Sequence, residues 1–225
     1  MATIEPLASL GDDLTLSYWS TNKVVFRRER REAWIPVFKH WREIVDHYHR
    51  ITDDHCWWHT EASNLSMLGA AIIRAEHIAI HEYSVDRNTH GGRARGRADI
   101  WISVGEASYL LEAKQRWNSI QSNAGLSILN KNIGWAIGQA GRYSEDRQFV
   151  GGIVFATAHT TRSRKIQEDV TKWRNADRSS ITDTASHGLI VDYYPRRKLA
   201  TITSGAARPR YYPGTTIVMA FDRVT

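Results

Sequence analysis

Residues 96–117 read GRADIWISVGEASYLLEAKQRW. Two runs in this stretch, 98–104 (ADIWISV) and 108–115 (SYLLEAKQ), have strand composition. The link between them, Val104-Gly105-Glu106-Ala107, has the length and residue type of a hairpin connection. A turn centred between Gly105 and Glu106 puts Asp99 opposite Glu112 and Trp101 opposite Leu110. Side chains alternate along a strand, so Lys114 projects from the same face as Glu112. One face then carries Asp99, Glu112 and Lys114, while Ile100, Ile102, Leu111 and Ala113 give the other an apolar surface to bury. Opposed residues have Cβ atoms only ~4.5–5.5 Å apart. Two carboxylates at that spacing repel unless a positive group stands between them. A hard divalent cation suits such a pair, because Mg²⁺ takes carboxylate oxygens and keeps several waters. With an adjacent lysine, these are the parts of metal-assisted phosphodiester hydrolysis.

Outward from this hairpin, the chain reads as alternating helices and strands. Residues 32–50 carry Trp34, Val37, Phe38, Trp41, Ile44, Val45 and Tyr48 at three- and four-residue steps, the pattern of a helix packed on a core. A second helix is expected from about 60 to 75, capped by Thr60, with Leu65, Leu68, Ile72 and Ala75 inward. Glu61 shares that inward stripe, an unusual place for a glutamate. A strand is expected at 78–85, followed by a turn-rich stretch at 88–96 and then the hairpin. A long helical stretch follows at 119–143. The apolar run 149–158 (FVGGIVFATA) reads as a strand buried on both faces. A charged helix near 164–175 and strands near 188–194, 199–203 and 215–221 complete a mixed α/β order.

Composition sets outer bounds. The 225 residues are 42% hydrophobic and 24% charged, ordinary globular usage. No apolar stretch approaches the ~20 residues of a membrane span. The start of the chain lacks the basic and apolar regions of a secretory signal. The single cysteine, Cys56, excludes an intrachain disulfide and a cysteine-based zinc cage, and fits a reducing compartment. A cytoplasmic protein with no membrane partner is expected, and a homodimer is left open. The net charge of +6 is uneven: residues 1–120 hold 15 Lys/Arg against 16 Asp/Glu, and residues 121–225 hold 15 against 8. Basic runs at 162–165 and 196–198 suit a phosphate backbone. His55 and His59, with Asp54 and Cys56 nearby, have no matching downstream ligand pair and read as structural.

Asp99, Glu112 and Lys114, in this setting, resemble the PD-(D/E)XK nuclease superfamily. Asp99 matches its aspartate, Glu112 its acidic residue and Lys114 its lysine, with Gln115 directly after. The resemblance covers roughly residues 61–157, in the order helix, three strands, helix, strand. Ala98 stands where the family has proline, and the flanks 1–58 and 160–225 match no known pattern. The resemblance implies a restriction-endonuclease-like α/β core at 59–225, a central mixed sheet flanked by helices, with residues 1–58 as an N-terminal helical extension of one compact unit. It implies an endonuclease using Mg²⁺ or Mn²⁺ on DNA, with RNA not excluded. The alternative is an inactive nucleic-acid-binding or protein-interaction module on the same fold.

Topology places Asp99, Glu112 and Lys114 at the sheet end nearest the start of the helix at 60–75. Glu61 lies there and resembles the helix glutamate of some members, so catalytic and metal-ligand roles are expected of Asp99, Glu112 and Glu61, with Glu82 the other choice. Gln139 and Tyr143, four apart on the later helix, resemble the Q-x-x-x-Y element of RecB-like members. Arg93, Arg95 and Arg97 fall in a glycine-rich segment just before Asp99, where a loop would let them grip phosphates.

Overall fold

The computed structural model describes residues 3–21, 27–89, 91–122, 124–143, 149–195, 200–202 and 209–223. The basic run at 196–198 lies outside them. In chain order the elements are β1 (Glu5–Ser9), β2 (Leu14–Ser20), α1 (Arg28–Glu32), α2 (Trp34–Thr52), α3 (Glu61–Arg74), β3 (Ile78–Thr89), β4 (Gly92–Val104) and β5 (Ala107–Ser119). Then follow α4 (Ala124–Ala140), β6 (Phe149–Thr160), α5 (Ile166–Arg174), α6 (Ser179–Thr182), β7 (His187–Tyr193), β8 (Ala200–Ile202) and β9 (Arg210–Arg223). A 3-10 turn at Cys56–Trp58 leads into α3. No helix among the described residues is long and apolar enough to cross a membrane.

The strands form one mixed sheet in the order β1-β2-β7-β9-β6-β5-β4-β3, with β8 paired to β9. β3, β4 and β5 form an antiparallel meander. The chain then crosses over through α4, and β6 pairs parallel to β5. Helices cover both faces. On one face α2 and α3 bury Trp34, Phe38, Trp41, Leu68 and Ile72 against Ile100, Ile102, Leu111 and Ala113. Burying a side chain such as Phe38 contributes roughly 1.5–3 kcal/mol. On the other face α4, α5 and α6 bury Leu129, Ile133, Val170, Trp173 and Ile181 against Val154, Ala156, Val218 and Ala220. The aromatic stripe of α2 is thus core, and Pro36 sits in its first turn, where no backbone donor is needed.

Residues 5–20 depart from the expected helical extension. They form the β1–β2 hairpin, and β2 pairs along its whole length with β7, extending the central sheet. Leu14 and Leu16 alternate into the α2 face, while Trp19 enters the opposite core. The helical part of the N-terminal region is α1 and α2.

Two local features set the geometry of the meander. Gly105 and Glu106 both have positive φ, 59° and 62°, as a two-residue hairpin turn with the twist of its flanking strands requires. Beside β5, Gly152 lies opposite Glu112, and a Cβ there would meet the Ala136 Cβ at 2.4 Å. The missing side chain lets α4 pack against the sheet next to Glu112.

Candidate active site

The β4–β5 ladder runs from Val104↔Ala107 to Ile100↔Leu111 and stops. Beyond that pair the strands part. The outer segment of β4 continues only with β3, and β5 from Glu112 to Ser119 continues only with β6. The result is a fork opening at Asp99 and Glu112. On the vacated edge of β5, no strand among the described residues pairs the main-chain groups of Ala113 and Gln115. Buried backbone groups must find partners, and side chains supply them. Asp99 Oδ2 accepts from Ala113 N at 2.7 Å, and Glu61 Oε2 accepts from Gln115 N at 3.1 Å. Lys114 Nζ donates to the Ala113 carbonyl at 2.6 Å, and Arg116 Nη1 donates to the Gln115 carbonyl at 2.8 Å. Four side chains thus stand in for the missing strand.

Glu61 reaches the fork because Thr60 caps α3, its hydroxyl accepting from Ser63 N at 3.2 Å. The start of α3 is tied to β5 by Gln115, whose Nε2 donates to the Trp57 carbonyl at 3.1 Å and whose Oε1 accepts from Asn64 Nδ2 at 3.2 Å. Thr157 of β6 donates to the same Trp57 carbonyl at 2.6 Å.

Glu112 is buried and accepts from Arg87 Nη2 at 2.9 Å and from the Tyr143 hydroxyl. Arg87 lies over the Tyr143 ring, 5.1 Å from its centroid. Burial, and then the neighbouring Asp99 charge, push the Glu112 carboxyl up to about 7 against the pull of Arg87 and Lys114. Burial also raises Glu61, opposed chiefly by Lys114 and reinforced by Asp99. The Asp99 charge thus adds to burial in disfavouring the ionised form of Glu112. Formally, Asp99, Glu112 and Glu61 are balanced by Lys114, Arg116 and Arg87.

The expected residues do not all gather here. Glu82 is 60% exposed, pairs with Arg97 at 2.9 Å and has a φ of 53°; Glu61, not Glu82, lines the fork. Arg93, Arg95 and Arg97 lie on β4 rather than on a loop, opposite Asn88, Asp86 and Ser84 of β3. Pairing along the β3–β4 arm overrides the glycines that marked a loop, and alternation puts the three exposed arginines on one face of a two-stranded ribbon. Gln139 and Tyr143 are not one turn apart on a helix, because α4 ends at Ala140. Tyr143 turns inward to Glu112, while Gln139 is exposed. Among the described residues, no three His, Cys, Asp or Glu side chains stand close enough together to hold a metal ion. The three expected ligands, Asp99, Glu112 and Glu61, line the fork without closing on one point.

No family model, curated protein or solved structure matches the chain.

Two members of the fork went unread in the sequence. Arg116 was readable, because Glu112, Lys114 and Arg116 continue one alternating face. It donates from Nε to Asn132 Oδ1 of α4 at 2.7 Å, which holds its guanidinium beside the open edge. Arg87 carried no comparable signal, since it meets Glu112 across 25 residues of chain.

Proposed function

We propose that the protein is a metal-dependent nuclease with a restriction-endonuclease-like core of the PD-(D/E)XK type, hydrolysing phosphodiester bonds in DNA in a cytoplasmic setting. The observation that carries this reading is the fork. A sheet opens at a paired aspartate and glutamate, with a lysine two residues past the glutamate and a helix glutamate on the same edge. The order α3-β3-β4-β5-α4-β6 supports the core assignment.

Asp99 and Glu112 would hold Mg²⁺ or Mn²⁺, and their mutual repulsion is the fit to a dication. When bound, such an ion supplies charge stabilisation at a phosphoryl oxygen and acidifies water. The chain's own groups do the rest. Lys114 presents its ammonium at the edge and orients the attacking water or offsets charge building on phosphorus. Arg116 adds a fixed, planar donor set suited to phosphate oxygens. Glu61 positions Gln115 and the water beside it. The new bond joins the water oxygen to phosphorus as that water gives up a proton to solvent, and the bond from phosphorus to the leaving sugar oxygen breaks, that oxygen taking a proton from solvent in return.

The second reading is a silent binding module. It is favoured by the grip of Arg87 and Tyr143 on Glu112 and by the lack of a three-residue metal group among the described residues. Incubation with supercoiled, linear and single-stranded DNA, with and without Mg²⁺, separates the two. Metal-dependent cleavage of any of these supports the nuclease. DNA binding without cleavage in either Mg²⁺ or Mn²⁺ supports the module.

A further inference from the structure

Past the fork, β5 ends in an exposed aromatic residue. Trp117 is 48% exposed. It lies two residues beyond Gln115, on the face where Trp57 and the start of α3 stand. Its ring is braced rather than loose. Tyr212 of β9, 1% exposed, meets it edge-on at 6.0 Å and 67°. Trp58 in turn meets Tyr212 at 5.8 Å and 65°. A half-exposed indole is therefore backed by a buried aromatic ring. Beside it in sequence, Arg116 is held at the open edge by Asn132 and the Gln115 carbonyl. From Ala113, which carries the Asp99 contact, to Trp117 is about 13 Å at ~3.3 Å per residue.

We propose that Trp117 forms a subsite for one unpaired nucleotide near the reacting phosphate, the base stacked on the indole. This rests on the reading of the fork as a phosphodiesterase site. A base inside a duplex has both faces covered by its neighbours, so away from duplex ends an exposed indole takes a base that has left the stack or never joined one. Lys114 and Arg116 add positive charge along the same edge, which suits a phosphate backbone better than a neutral apolar partner. The substrate class is therefore single-stranded DNA, or duplex with unpaired ends, in preference to continuous duplex.

The test measures binding by fluorescence anisotropy in Ca²⁺, using one labelled oligonucleotide single-stranded, as a blunt duplex, and as a duplex with an unpaired overhang. The full-length protein is compared with Trp117→Ala and Trp117→Phe. Stacking on an aromatic side chain predicts that Trp117→Ala weakens single-strand and overhang binding by roughly 5- to 150-fold. Blunt-duplex binding should stay within about twofold, because a paired base does not reach the indole. Trp117→Phe keeps a ring and should recover most of the loss. Equal single-strand affinity in Trp117→Ala and the wild type overturns the subsite, as does an equal loss on all three DNAs. If the wild type cleaves DNA with Mg²⁺ and Trp117→Ala binds as it does, the subsite alone fails. If the wild type binds none of the three DNAs, the nuclease reading fails and the subsite falls with it.

Discussion

Asp99 accepts from the main-chain N–H of Ala113, at the point where Ala98 would otherwise have continued the ladder between β4 and β5. One residue pair thus both ends the ladder and sets a carboxylate at the mouth of the fork, beside Glu112. Two residues along, Glu61 does the same for Gln115.

That parallel separates Glu61 from Glu82. Glu61→Gln keeps a carbonyl oxygen able to accept from Gln115 N, so the fold should survive, but a negative charge leaves the fork. Cleavage should fall by about 10²-fold or more, the scale of losing one positioned electrostatic group. Glu82→Gln touches only the exposed pair with Arg97 and should leave cleavage unchanged. Turnover rates of the two variants under saturating Mg²⁺ check this, and a reversed order would move the assignment to Glu82.

Lys114→Ala should slow cleavage by about 10²–10³-fold. Its Nζ bonds the Ala113 carbonyl and, among the described residues, no carboxylate, so metal affinity should change far less than rate. Calorimetric titration with Mn²⁺ beside single-turnover kinetics reads both. An equal loss in affinity and rate would place Lys114 in the metal site itself.

The hairpin register was legible because Gly105 and Glu106 fix it, and strand alternation then placed Asp99, Glu112 and Lys114. Glu61 was legible as a charge on an apolar helix stripe. Other features depended on partners far away in sequence. β2 looks unremarkable alone and becomes a strand by pairing with β7, about 170 residues later. Glycines 92 and 96 suggested a loop, yet the long β3–β4 ladder absorbs them. Tyr143 looked helical because nothing local marks the end of α4 except Gly141.

The Glu112 carboxyl gives a pH signature in metal-free protein. Its folded value is raised to about 7, above that of the unfolded chain. Its contribution to stability is then fully present below the ordinary carboxylate range and is lost as pH rises through about 7. Glu112→Gln removes this titration. In EDTA, the wild type should lose stability relative to Glu112→Gln between pH 5 and pH 8, as read by thermal midpoints. A constant difference across that range would show that Glu112 ionises freely.

The exposed arginines on the β3–β4 arm predict a salt effect. Each phosphate that the protein no longer neutralises should flatten the slope of log affinity against log salt by about 0.9 on duplex and 0.7 on single strands. Arg93→Ala with Arg95→Ala should therefore reduce the slope by roughly 1.4–1.8. Binding measured over a series of salt concentrations decides it, and an unchanged slope removes the arm from the interface.

The central claim, that Asp99 and Glu112 hold a catalytic metal, is tested most directly by titrating Mg²⁺ against cleavage rate for the wild type, Asp99→Ala and Glu112→Ala, with DNA binding measured in Ca²⁺ alongside. The wild type should show saturable, Mg²⁺-dependent cleavage, and both variants should show none at any Mg²⁺ concentration while still binding DNA. Cleavage by either variant at the wild-type rate, or a wild type that binds DNA but cuts none in Mg²⁺ or Mn²⁺, would contradict it.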